Sequence, residues 1–195
     1  NIEERMTLAN MAIEAGGKNG VVQVDKTTLD YVRARTCKPF EVVTNDPDAN
    51  FFEDRAYRVK DIVPVVAKPH SPDNKAAARE LKDVKLDRAY IGSCTGGKLT
   101  DMLAAATILK DRKVAIETFV IPATTEVHAD MRTQKIGGRS LEQIFLDAGC
   151  TVGPASCAAC LGGPEDTMGR LNKAGIRCIS STNRNFPGRM GHKQA

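Results

Sequence analysis

The sequence predicts an α/β fold in which parallel-sheet layers carry flanking helices, and three observations predict it. From Ala89 onward, short Val- and Ile-containing runs alternate with helical patterns: 89–93, 99–109, 114–121 and then a helix ending at Gly149. That is the spacing that parallel strands joined by crossover helices require. Glycines punctuate the passage from the first of these strands into its helix, at Gly92, Gly96 and Gly97. The apolar content is also aliphatic, with 42% hydrophobic residues against 5% aromatic and no Trp, so Ala, Val, Ile and Leu must fill the interior. A chain of 195 residues suffices for one sizeable core or two small ones.

The elements follow in order. Ile2 to Ala15 reads as a helix that stops at Gly16-Gly17, and its apolar Met11, Ala12 and Ile13 predict that it is largely buried. Residues 21–24 read as a short strand. Asp25 to Arg35 reads as a helix with Asp25 or Thr27 as its N-cap, followed by a polar loop at Asn45-Asp46-Pro47-Asp48. Residues 57–67 read as an edge strand broken by Pro64. The charged stretch Lys68 to Lys85 marks a boundary, giving one domain with its linker over 1–85 and another over 86–195.

In the second part, Ala89 to Ser93 is a strand entering the turn at Cys94. Leu99 to Leu109 is a helix whose apolar positions are Met102, Leu103, Ala106 and Leu109. Val114 to Ile121 is the next strand, and Thr125 to Met131 a short helix. Ser140-Leu141-Glu142-Gln143 has the form of a capping box before a helix ended by Gly149. A turn holding Cys157 and Cys160, a helix over 166–172 and a strand over 176–180 complete the series. There is no internal repeat.

The formal net charge of +4 and the lack of any long basic run argue against a nucleic-acid partner. The local excess at Arg184, Arg189, His192 and Lys193 suits a small polyanion better. No apolar run approaches the roughly 20 residues that a membrane span needs. The chain opens at Asn1 inside a helical pattern, which predicts an internal piece of a longer protein. Six cysteines are too sparse for a secreted disulfide scaffold, so metal or redox chemistry is the better expectation.

Chemistry concentrates on three of those cysteines. Cys94 lies in Ile91-Gly92-Ser93-Cys94-Thr95-Gly96-Gly97, and Cys157 and Cys160 form a C-x-x-C pair. Two thiolates from one turn and a third from a strand end can hold three corners of an iron–sulfur cluster. The fourth iron would then be open to a substrate hydroxyl. The spacing alone leaves zinc, redox and structural readings open. A second C-x-x-C is missing and no His lies near the pair, which weighs against a four-ligand zinc site. A thioredoxin-like pair opens a helix, whereas Leu161-Gly162-Gly163-Pro164 follows here. Cys37, Cys150 and Cys178 read as core or surface thiols. The backbone of Thr95-Gly96-Gly97 could face an anion or simply turn. Asn10 and Glu14 are four residues apart on one helix face, which fits a polar site or an exposed edge equally. Asn183 to Gly191 sets Arg184 and Arg189 around a Pro-Gly turn, suited to a di- or tricarboxylate or else to solvent. His70 and His128 read as structural.

Four segments in this order resemble the large subunits of the aconitase superfamily. They are Asn10 to Gly16, Ile91 to Lys98, Cys157 to Pro164, and Ser181 through Asn183, Arg184 and Asn185 to Gly191. The resemblance is closest to the isopropylmalate isomerase branch of plastid-like type, and it covers nearly the whole chain. It implies part of the second and all of the third aconitase-like domain. It further implies a [4Fe–4S] cluster on Cys94, Cys157 and Cys160, with Asn10 beside cluster and substrate and Glu14 handling the departing hydroxyl. Asn183 and Arg184 would lie against the pocket, and Arg189 would pair with a substrate carboxylate. The implied chemistry is dehydration of 2-isopropylmalate and rehydration to the 3-isomer in leucine synthesis, with homoaconitate or citrate as rival substrates. A cluster-free binding relative and a zinc-stabilised domain are alternatives of other classes. A small partner subunit would supply a serine base and another arginine, and the setting would be cytoplasm or plastid stroma. The chain departs from the pattern in two ways. The family's earlier region with catalytic His and Asp residues is absent, so the chain alone is expected to be inactive. Gly96 also stands where the family's Cys-Thr-Asn turn has its Asn.

Overall fold

The computed structural model describes residues 1–183 and 185–195. Its contacts divide the chain into two units, Asn1–Pro64 and Val65–Ala195, a boundary ahead of the 85/86 position expected from composition.

In the first unit, α1 (Ile2–Asn10) begins at Asn1, whose Oδ1 accepts from the Glu4 backbone N–H at 2.9 Å while the Glu4 side chain reaches back. The helix tightens into a 3₁₀ turn at Met11–Ile13 and ends before Gly16, which takes φ +79°. α2 (Lys26–Arg33) is capped by Asp25 rather than Thr27, the carboxylate accepting from Thr28 N–H at 3.2 Å. Arg5 grips the same carboxylate with both guanidinium nitrogens at 2.7 Å, tying α1 to α2. That fork holds the Asp25 carboxyl well below the usual carboxylate range.

Two expectations fail here. No strand forms over 21–24, where Val21 is exposed and no ladder partner is paired with it. The first helix is not buried either: none of residues 1–64, all of them described, falls in the buried class. Apolar spacing reports a face that can be covered, not one that is covered within the same unit.

The second unit opens with an antiparallel hairpin, β1 (Val65–Ala67) against β2 (Lys75–Ala77). Only the end of the expected 57–67 strand survives, because Pro64 has no N–H to donate and residues Val59–Asp61 coil into a 3₁₀ turn. Then follow β3 (Arg88–Gly92), the single turn α3 (Ser93–Gly96), α4 (Leu99–Leu109), β4 (Glu117–Ile121) and α5 (Thr125–Thr133). A small hairpin, β5 (Lys135–Ile136) and β6 (Arg139–Ser140), turns at Gly137-Gly138 and leads into α6 (Leu141–Ala148). β7 (Thr151–Val152) and β8 (Cys178–Ser180) close the sheet.

That sheet is parallel throughout, as the sequence predicts, and its strand order is β7-β4-β3-β8. Residues alternate between its faces. Ile91 and Val120 face the cluster of Met102, Met131, Leu141 and Phe145 under α4, α5 and α6. Tyr90, Phe119 and Ile121 face a second cluster with Ala159, Leu171 and Met190. The helix expected over 166–172 is instead a run of turns. Gly169 takes φ +81° beneath the Tyr90 ring, where a Cβ would come within 2.4 Å of a ring carbon, and the right-handed helix is excluded at that position. No helix among the described residues is long and apolar enough to cross a membrane.

Candidate functional site

Strands β3, β4 and β7 build the sheet in one direction, and β8 then adds to the opposite side of β3. A sheet that reverses its growth this way opens a crevice at the carboxyl ends of the two strands flanking the reversal. Cys94 lies at that end of β3 and Ser181-Thr182-Asn183 at that end of β8.

The turn that carries Cys94 admits few other residues. Gly92 has φ +141°, and a Cβ there would fall 1.9 Å from the Ile121 carbonyl oxygen. Ser93 takes φ +64°, a left-handed conformation uncommon for a residue with a side chain, and is fully buried. Ser181 stitches the two strand ends together. Its hydroxyl accepts from Gly92 N–H at 2.9 Å and donates to the Gly96 carbonyl at 3.2 Å. The same contact explains the glycine at 96: a Cβ there would meet the Ser181 carbonyl at 2.4 Å and its hydroxyl at 2.5 Å.

Cys157 and Cys160 come from the loop after β7. Ser156 N–H donates to the Pro122 carbonyl at the end of β4, and its hydroxyl accepts from Ala158 N–H at 2.9 Å. Ala159 is buried, and Gly162 (φ +64°) brings the turn against the following loop, where a Cβ would lie 3.1 to 3.4 Å from Gly188, Arg189 and Gly191 backbone atoms. Cys94 and Cys157 are half-buried, Cys160 is buried, and all are thiols.

Two residues that sequence reasoning passed over join these segments. Tyr90, 1% exposed, shares a 3.0 Å hydrogen bond with Ser93. Burial pushes its phenol up to about 12; the Ser93 bond opposes the shift, and Cys160, Cys157 and Cys94, all within electrostatic reach, add to it. Lys98, 7% exposed, donates from its ammonium to the carbonyls of Cys94 at 2.9 Å and Thr95 at 2.7 Å. An aromatic in a strand and a lysine before a helix carry no chemical signal in sequence.

The Asn183–Gly191 loop borders the C-x-x-C turn. Arg189 folds back through its N–H to the Phe186 carbonyl, and its Nε is buried without a hydrogen-bond partner among the described residues. Asn183 is half-buried, and Arg184 lies outside the described residues. Asn185 donates to the Lys68 and Ser71 carbonyls at 2.8 and 3.1 Å, anchoring the tip of the β1–β2 hairpin. In the first unit, Asn10 ends α1 and Glu14 follows the 3₁₀ turn, its N–H bonded to the Met11 carbonyl; both are half-buried.

The other cysteines stand apart in role. Cys150 is in the core, Cys37 is exposed, and Cys178 on β8 has its thiol raised to about 11 by burial. His128 shares Glu142 with Arg132 on α5 and α6, a structural ion cluster.

No three His, Cys, Asp or Glu side chains among the described residues are disposed to share one metal ion. A four-iron cluster makes a different demand, since each thiolate binds its own iron and the sulfurs stand further apart than around one ion. Three cysteines from two loops have the donor chemistry for such a cluster.

A parallel sheet whose switch point carries cysteines from two loops defines an α/β protein with its candidate site at the strand ends, and the chain belongs to the aconitase family. The family model described as aconitase family (aconitate hydratase) matches residues 1–83 and 74–195. The chain is 56% identical over 200 residues to the chloroplastic 3-isopropylmalate dehydratase large subunit of Arabidopsis thaliana, covering all of this chain and 39% of that protein. It is 46% identical over 193 residues to the 3-isopropylmalate dehydratase large subunit of Thermodesulfovibrio yellowstonii, covering 98% of this chain and 44% of that one. With the corresponding subunit of a Hydrogenobaculum species the identity is 44% over 197 residues, with coverage of 100% and 44%. The chain thus spans about two fifths of the length of these curated relatives.

Proposed function

We propose that this chain is a middle-to-late part of the large subunit of a [4Fe–4S]-dependent hydro-lyase that interconverts 2- and 3-isopropylmalate in leucine biosynthesis. The observation that carries the reading is that Cys94, Cys157 and Cys160, on two loops, all come within electrostatic reach of the buried Tyr90, beside a loop whose Arg189 has a buried Nε without a hydrogen-bond partner among the described residues. The relatives' names support the substrate, and their greater length supports a larger parent.

In this reading the three cysteines hold the cluster, which when bound supplies a Lewis-acid iron for a hydroxyl that leaves poorly by itself. Arg189 offers its guanidinium fork to a substrate carboxylate, with Asn183 and Arg184 alongside on the same loop. Glu14 handles the proton of the departing hydroxyl, and Asn10 orients the substrate through its amide. Lys98, through its ammonium, holds the backbone of the Cys94 turn against the start of α4. A small subunit completes the site with a base and a further cation, so the chain alone is expected not to turn over isopropylmalate. Residues 1–85 and 86–195 would then belong to successive domains of the parent, working in cytoplasm or, as the chloroplastic relative suggests, a plastid.

Anaerobic reconstitution of the chain with iron and sulfide tests this, read by visible absorbance and by iron and sulfide counts beside Cys157→Ser. A broad visible band with matched iron and sulfide, lost in the variant, is the expected result. Absence of a cluster, or one indifferent to Cys157, would overturn the ligand assignment in this chain.

A further inference from the structure

The Tyr90–Ser93 pair has a proton left over. Two hydroxyls hold two protons, and the single 3.0 Å contact between them uses one. Both residues are at most 1% exposed, so bulk solvent does not reach the other proton, and no further acceptor among the described residues is assigned to either hydroxyl. A buried donor of this kind is costly to leave unmet. The chemistry within electrostatic reach of the pair is that of the three cysteines. Ser93 immediately precedes Cys94, Ala159 between the other two cysteines packs in the same cluster as the Tyr90 ring, and all three thiols are within electrostatic reach of the phenol. The ring itself is locked in place: Gly169 lies flat beneath it, and Ile121, Leu171 and Met190 complete its surroundings.

We propose that Tyr90 is a positioning residue whose hydroxyl, polarised by a hydrogen bond accepted from Ser93, donates to a sulfur of the three-cysteine site. The direction follows from chemistry. A phenol is the stronger donor of the two, and accepting from Ser93 strengthens what it donates onward. A sulfur that carries more negative charge is the better acceptor, so the bond is strongest to a thiolate or sulfide of the loaded, reduced site. Hydrogen bonds to cluster sulfurs raise the reduction potential and slow loss of metal. The same side chain, through its ring, sets the spacing between the β3 turn, the C-x-x-C turn and the Met190 end of the arginine loop. This inference rests on the cluster reading above.

The test compares wild type, Tyr90→Phe, Ser93→Ala and Cys157→Ser after anaerobic reconstitution, reading the cluster's midpoint potential and the rate of iron release to a chelator. Tyr90→Phe keeps the ring and is expected to load iron as wild type does, at a lower potential and with release roughly tenfold faster. Ser93→Ala removes only the polarising bond and is expected to shift both in the same direction by less. Should Tyr90→Phe fail to fold, Ser93→Ala carries the test alone. Unchanged potential and release in whichever variants load a Cys157-dependent cluster would overturn the proposal and leave the cluster reading standing. A wild type that loads no Cys157-dependent cluster would overturn both.

Discussion

Gly96 shows how much a single position can disclose once its neighbours are known. In sequence it is a gap, a turn residue that contributes no side chain where an amide was expected. In the structure it is the place where Ser181 crosses, with the Ser181 carbonyl, hydroxyl and Cβ all within 2.6 Å of any added Cβ. Gly96→Ala is therefore expected to cost about 1–3 kcal/mol as the strand ends are pushed apart, seen as a lower urea midpoint at unchanged slope. An unchanged midpoint would mean that the Ser181 segment yields freely. The cysteines stood out in sequence as thiols in C-x-x-C and strand-end contexts, although spacing alone left several uses open. Tyr90 and Lys98 did not stand out, since what marks them is the backbone and side chains that the fold brings to them.

At the scale of elements, local signals worked where the chain supplies its own partners. Ser140 caps α6 by accepting from Gln143 N–H at 3.1 Å, and Gly149 ends it at φ +92°. Only half of the expected capping box forms, because the Gln143 amide donates forward to Asp147 at 2.8 Å instead of back to Ser140. Ser140→Ala is expected to cost about 1 kcal/mol, measured by thermal or urea unfolding, and a loss near zero would show that the β5–β6 hairpin alone orients the helix. Signals failed where partners come from afar. β7 has only two residues and exists because β4 offers Phe119 and Val120 as ladder partners. The 21–24 run has a strand's composition and no such ladder.

Across the whole molecule, buried side chains are confined to the second unit, where the first buried residue is Tyr90. In residues 1–64 Phe51, Phe52, Tyr57 and Val59 are all exposed. Amide exchange is accordingly expected to be slowest in the central pair β3 and β4 and near the open-chain rate through residues 36–64. Trypsin should cut first at Arg55, Arg58 or Lys60. Comparable protection in both units would refute this division of stability.

The sequence by itself determined the α/β class, most of the helices and the cysteines that stand as candidate ligands, because each depends on residue type and short-range spacing. Tertiary structure decided which strand follows which across the sheet, and so where the crevice opens. It also decided that Gly96 must be a glycine and that Tyr90 lies within electrostatic reach of the cysteines of both loops. The physical reason is that hydrogen-bond ladders and side-chain contacts between residues 80 to 100 positions apart depend on the path of the whole chain, and no local pattern encodes that path.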